Sequence, residues 1–123
     1  MTSRIKIFFD GGLRPLPDGM EVCAVIRGRA YIEQRLGAGA SLEAEWRALL
    51  HAARLAHSLG LKNIVFLGDC ATTVAQADGK AKARAMTVNL EAFRALVGDD
   101  PHVRHIKRTQ NLAGIALERL RAR

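Results

Sequence analysis

The chain has 123 residues, of which 49% are hydrophobic, so it can bury one core without disulfides and is too short for two domains of typical size. Lysine and arginine outnumber aspartate and glutamate by 19 to 12, and the formal charge of +7 favours a polyanionic partner. Two cysteines are too few for a disulfide framework, and no run approaches the ~20 apolar residues of a membrane span. We therefore expect one cytoplasmic domain over residues 1–123 that does not bind a membrane. No protein partner is predicted.

The first predicted strand is the apolar run KIFF at residues 6–9, which continues into Asp10, Gly11 and Gly12. A run this apolar is typical of a strand that is covered on both faces. Asp10 then lies where the strand reaches an edge of the sheet. The two glycines carry no side chain, so a ligand can come close to the backbone there.

Two antiparallel strands are predicted next. Two prolines and an Asp-Gly pair predict a turn over residues 13–19, because they cannot continue a central strand. A turn this tight implies an antiparallel neighbour, and residues 20–27 form the second predicted strand. A hairpin turn at Gly28 and Arg29 leads into a third strand over residues 30–36.

The longest predicted helix covers residues 42–58, with Ser41 as its N-cap. Glu45 falls in line with Leu49 and Ala56 on the stripe that faces the sheet. A carboxylate on a core-facing stripe is costly unless it is paired or binds a metal. Glu45 is therefore predicted to belong to a functional site.

A second apolar run, residues 63–67, ends at Gly68 and Asp69 and has the same form as the first. If the two strands are parallel neighbours, Asp10 and Asp69 project from one edge, where open α/β sheets bind ligands. Carboxylates brought together repel each other unless a proton or a cation lies between them. With Glu45 as a third acid, this edge is predicted to bind a divalent metal.

The rest of the chain alternates helix and strand. Residues 71–77 are a predicted short helix, and residues 78–84 a basic loop. Apolar residues then recur at the spacing of a helix, at Met86, Leu90, Phe93 and Val97. Residues 103–108 are the last predicted strand, and Thr109 is the predicted N-cap of a final helix.

The segments FDGG at residues 9–12, SLEAEWRALL at 41–50 and LGD at 67–69, in this order of elements, resemble the type 1 ribonuclease H family in its short bacterial and archaeal forms. The resemblance covers almost the whole chain. It implies an α/β fold with a five-stranded mixed sheet of order 3-2-1-4-5 and helices on both faces. It also implies hydrolysis of the RNA strand of RNA/DNA hybrids with two Mg²⁺ or Mn²⁺ ions, held by Asp10, Glu45 and Asp69.

The chain departs from the family pattern in its last helix. The family places a fourth carboxylate one turn beyond an asparagine, and aligning Asn111 on that asparagine puts Ile115 where the acid belongs. Moving the alignment by one residue puts Gly114 there instead. Asn111 or Glu118, one turn before or after Ile115, could supply an oxygen to the second ion. Asn111 is the preferred substitute and the fourth predicted catalytic residue.

The resemblance further implies that Gly11, Gly12 and Ser41 approach the RNA strand. Basic residues are candidates for phosphate contacts, namely Lys80, Lys82, Arg84, Lys107 and Arg108. The missing acid leaves two readings open: a nuclease, with full or reduced activity, and an inactive module of the same fold that binds nucleic acid. A signalling receiver with Asp69 as phosphoacceptor fits less well, because glycines follow Asp10 where that fold needs acids.

Overall fold

A five-stranded mixed sheet organises the computed structural model, which describes residues 3–122. The strand order is β3-β2-β1-β4-β5, as the resemblance implied. β2 pairs antiparallel with β1 and β3, whereas β4 pairs parallel with β1 and β5. The strands are β1 (Ile5–Leu13), β2 (Met20–Ile26), β3 (Arg29–Glu33), β4 (Ile64–Gly68) and β5 (His102–His105).

Helices cover both faces of this sheet, which confirms the predicted architecture. The larger core lies on one face, and the smaller core, with Cys23, Val25, Ala113 and Leu117, lies on the other. Within the described residues, no helix is both long and apolar enough to cross a bilayer. The helices are α1 (Ser41–Ser58), α2 (Ala71–Ala77), α3 (Thr87–Val97) and α4 (Leu112–Arg121).

The larger core is centred on Trp46 of α1. Its ring meets Phe93 of α3 edge to face, with centroids 6.3 Å apart, and Phe93 meets Phe66 of β4 at 5.4 Å. The buried indole N–H needs an acceptor. Gln76 of α2 provides it at 2.8 Å, and its own amide N–H group donates to the backbone carbonyls of residues 82 and 83. One buried amide thus connects α1 to the predicted basic loop.

Several predicted boundaries are wrong by a few residues. The hairpin turn is at Arg27 and Gly28, whose φ angles of 51° and 80° match a type I′ turn, so β3 starts at Arg29. β3 also ends earlier than predicted, at Glu33. β1 continues past Asp10 to Leu13, because its two glycines still pair with β2.

Both predicted helix caps are corrected. Ala40 is the N-cap of α1 and makes no side-chain cap, and Ser41 is the first helical residue. β5 ends at His105, and Thr109 lies in a short 3₁₀ turn over residues 108–110. Asn111 caps α4 instead, because its side-chain oxygen accepts the N–H of Ala113 at 3.1 Å.

Candidate active site

Three carboxylates from three different elements meet at one edge of the sheet. Asp10 is on β1, Asp69 directly follows β4, and Glu45 is on the first turns of α1. The parallel register pairs Phe8 with Leu67, so the residues two positions further along each strand, Asp10 and Asp69, lie beside each other. Carboxylate oxygens of all three residues lie within 4.8 Å of one another. The structure thus brings together the three residues that the sequence proposed as metal ligands.

A close contact between α1 and β1 brings Glu45 into this cluster. Glu45 Oε1 accepts the backbone N–H of Gly11 at 2.8 Å. A Cβ atom at Gly11 would collide with the backbone carbonyl of Ala44. Gly11 therefore has a packing role, because a side chain there would push the helix and its glutamate away from the sheet.

Burial and mutual repulsion raise the pKa values of two carboxyl groups in the cluster. Burial, and then the charge of Asp69, raise the pKa of Asp10 to about 6. Burial, and then the charge of Asp10, raise the pKa of Glu45 to about 8.

These residues are compatible with a divalent metal ion. All three offer carboxylate oxygens, which hard divalent cations prefer, and Asp10 is only 5% exposed. Burial, and then repulsion by Asp69, raise the pKa of Asp10. A cation between the carboxylates would remove that repulsion. The donor set is therefore compatible with a hard divalent cation.

Asn111 contacts the cluster with its amide nitrogen. Its Nδ2 donates to Asp69 Oδ2 at 2.9 Å and to the carbonyl of Phe9 at 3.0 Å, while its Oδ1 caps α4. The side chain is fully buried, and these bonds fix its orientation. The expectation that Asn111 offers an oxygen to a metal does not match this arrangement. In the structure Asn111 orients Asp69.

Neither residue aligned with the predicted fourth acid, Ile115 or Gly114, carries a carboxylate. A Cβ at Gly114 would lie 3.3 Å from Asp10 Oδ2 and 3.8 Å from Asp69 Oδ2, so Gly114 packs closely against the carboxylates. Glu118 is exposed and pairs with Arg108 at 3.5 Å, as an ordinary surface residue does. Among the described residues, the acidic cluster that could hold a metal has three members.

The residues predicted to contact nucleic acid lie in several places. Ser41 is exposed at the start of α1, and the space above Gly12 is filled by Arg121. The five basic candidates are exposed, three in the segment before α3 and two just before α4: Lys80, Lys82, Arg84, Lys107 and Arg108.

Sequence reasoning missed Glu21, an acid in the otherwise apolar strand β2. It is fully buried and bonded to two arginines and a glutamine. A lone acid inside the run MEVCAVI is a signal that could have identified it.

Comparisons with known proteins agree with this architecture. A family model described as reverse transcriptase-like matches residues 22–117, which is most of the chain. A search of curated protein sequences finds no match.

Among solved structures, ribonuclease H1 of the halophilic archaeon Halobacterium salinarum is similar, with a TM-score of 0.73 and 23% identity over 95% of this chain and 99% of that one. The N-terminal ribonuclease H domain of a Mycobacterium tuberculosis protein gives 0.70 and 21%, over 98% of both chains. A compost-derived ribonuclease H1 in complex with an RNA/DNA hybrid gives 0.69 and 19%, over 89% of both. At these identities the likeness shows the fold.

Proposed function

Because this chain belongs to the reverse transcriptase-like family, which has the ribonuclease H fold, we propose that it is a ribonuclease H. In this proposal it is a metal-dependent endonuclease that hydrolyses the RNA strand of RNA/DNA hybrids. The observation that carries the proposal is the meeting of Asp10, Glu45 and Asp69 at one edge of the sheet. Three acids from distant parts of the chain converge there, although their repulsion makes the arrangement costly without a ligand.

Asp10, Glu45 and Asp69 would hold two Mg²⁺ or Mn²⁺ ions. When bound, the ions would supply an activated water and positive charge at the leaving oxygen of an in-line displacement. The chain's own groups prepare the ligands. The Gly11 N–H fixes one oxygen of Glu45, and the Asn111 amide N–H group fixes one oxygen of Asp69. Asn111 therefore acts as a positioning residue for the proposed chemistry.

The charge of the chain supports a nucleic-acid substrate. The net charge is +7, and exposed basic side chains lie in the segments before α3 and before α4. Lys80, Lys82, Arg84, Lys107 and Arg108 are proposed to contact phosphates. Gly11, Gly12 and Ser41 are proposed to lie near the RNA strand. The hybrid-bound compost enzyme, whose fold is shared, is consistent with this substrate.

We also propose that the protein acts in the cytoplasm. Both cysteines, Cys23 and Cys70, are free thiols in the structure. Reduced thiols are typical of a reducing compartment.

The test is cleavage of a labelled RNA/DNA hybrid with Mg²⁺, with Mn²⁺ and with EDTA. The intact protein is expected to cut the RNA strand with either ion, and Asp10→Asn is expected to cut nothing. Asp100→Asn, which removes an exposed carboxylate outside the cluster, is the matched control and should retain full activity. If the intact protein cuts the hybrid with neither ion, the proposed nuclease activity is refuted.

A second candidate is an inactive module of the same fold that binds nucleic acid. It is favoured by one observation: neither Ile115, at the position aligned with a fourth acid, nor Gly114 before it carries a carboxylate. This candidate predicts salt-sensitive binding of the hybrid without cleavage. It also predicts equal binding by the intact protein and by Asp10→Asn.

A further inference from the structure

A buried carboxylate lies on β2, outside the acidic cluster. Glu21 is completely buried and accepts three hydrogen bonds of 3.0 Å. Arg14 Nε and Gln34 Nε2 donate to its Oε1, and Arg121 donates to its Oε2. Burial alone would raise the pKa of Glu21, but these bonds outweigh it and hold the pKa below its usual range. The carboxylate is thus charged and joins two guanidinium groups.

The two arginines remain accessible, although their partner is not. The side chains of Arg14 and Arg121 are 27% and 38% exposed, against 0% for Glu21. Within the described residues, Glu21 is the side-chain partner of each, and each guanidinium uses part of its five donors. Part of each side chain is exposed to solvent, and the bond to Glu21 restricts the orientation of each guanidinium. Planar, preorganised guanidinium groups are well suited to bind phosphate.

This group lies close to the candidate active site. Glu21 pairs across the sheet with Gly12, which is two residues beyond Asp10 on the same face of β1. Two residues along a strand span about 7 Å, which is roughly two nucleotides of rise along a nucleic-acid strand. The guanidinium of Arg121 lies over Gly12 of β1, where a Cβ atom on Gly12 would collide with it. Arg121 is also near enough to lower the pKa of Asp10.

A shallow cleft extends this surface away from the site. It has a volume of about 230 Å³ and is lined by Arg14, Asp18, Gln34, Arg35 and Leu120. Arg35 and Asp18 form a loose, exposed ion pair of 3.9 Å across it. The cleft and the buried group together contain three arginines and two acids, so one positive charge is left over for a ligand.

We infer that Arg14 and Arg121, held by Glu21, form an arginine clamp that binds a backbone phosphate of the nucleic acid beside the carboxylate cluster. The inference rests on the proposed function, because it assumes a nucleic acid lying across that cluster. A buried ion pair adds little to stability compared with apolar packing, so stability alone does not account for a charged Glu21 in an apolar strand. Fixing two arginines at the surface does account for it.

The test measures binding of an RNA/DNA hybrid in EDTA, where cleavage is prevented, between 50 and 200 mM salt. Arg14→Gln and Arg121→Gln are each expected to weaken binding about three- to tenfold at 50 mM salt. Loss of one phosphate contact lowers the slope of log K against log salt by about 0.7 to 0.9. Each single variant leaves Glu21 with one guanidinium and is expected to fold.

A triple variant, Arg14→Gln with Glu21→Gln and Arg121→Gln, removes the clamp without leaving a buried charge. It lowers the net charge by one, and so does the control Arg54→Gln on the exposed side of α1. The triple variant should lose about one unit of salt slope, whereas the control should keep the slope of the intact protein. A merely structural role for the clamp would change the melting temperature and leave the slope unchanged.

Equal affinities and slopes for the intact protein and the clamp variants would overturn the inference while leaving the proposed nuclease intact. Clamp variants with reduced slope, in a protein that cuts no hybrid, would support the clamp and refute the nuclease. No binding by the intact protein at 50 mM salt would overturn both.

Discussion

Asp10→Asn is expected to stabilise the metal-free protein, although it removes the central carboxylate of the site. Burial, and then the charge of Asp69, raise the pKa of Asp10 from 3.8 to about 6. The folded state therefore favours the protonated form of Asp10. The stability that this form provides is fully present below pH 3.8 and is lost as the pH rises through about 6. Asparagine has nearly the same shape and stays neutral at every pH.

The magnitude follows from the size of the shift. A raised pKa of about two units is worth roughly 3 kcal/mol, since one unit corresponds to about 1.4 kcal/mol. The variant should exceed the intact protein in free energy of unfolding by less than about 1 kcal/mol at pH 4 and by about 3 kcal/mol at pH 7. For a domain of this length, that difference corresponds to about 10 °C in melting temperature at pH 7.

The assay is thermal unfolding in EDTA, followed by circular dichroism from pH 4 to pH 8. Asp100→Asn serves again as the control, because it removes an exposed carboxylate outside the cluster. It should melt with the intact protein throughout. An Asp10→Asn variant that melts at or below the temperature of the intact protein at pH 7 would contradict this expectation. A difference that is the same at pH 4 and pH 7 would refute it equally.

Four other outcomes are expected. Mg²⁺ or Mn²⁺ should raise the melting temperature of the intact protein by mass action and leave that of Asp10→Asn unchanged, as a titration of the ion measures. Asn111→Ala should lose about 2 kcal/mol in chemical denaturation and reduce cleavage, because α4 loses its cap and Asp69 its donor. Gly11→Ala should cost more than about 2 kcal/mol by collision with the α1 backbone, whereas Gly28→Ala, with open space around it, should cost about 1 kcal/mol. Gln76→Leu should cost about 2 kcal/mol, because the Trp46 indole N–H loses its acceptor in the core.

The sequence was sufficient to predict the parts of the fold that follow from local patterns. The apolar runs before Asp10 and Asp69 predicted two adjacent parallel strands, and the observed register places the two acids side by side. The helical face of Glu45 predicted that it points to the sheet, and it bonds to the backbone of Gly11. Periodicity carries this information because the spacing of side chains fixes which face they share.

Turn conformations and contacts between distant parts of the chain could not be predicted. The cap at Asn111 was missed because a 3₁₀ turn separates it from β5, and nothing in the residues before it marks that turn. The hairpin turn moved by one residue because Arg27 adopts a left-handed backbone that arginine seldom takes. The role of Glu21 depends on Arg121, which is 100 residues away in the sequence.

With three carboxylates, the proposed metal site would be completed by the substrate. Ile115 occupies the position aligned with a fourth carboxylate, and the charges of Arg108 and Arg121 partly oppose the rise in the pKa of Asp10 that burial and Asp69 cause. Negative charge at the site is therefore smaller, and the surroundings favour a phosphate. Magnesium takes oxygen ligands from substrate phosphates as readily as from protein. The hybrid would then supply the oxygens that the chain lacks, so we expect the metal and the hybrid to strengthen each other's binding, by the same factor in both directions.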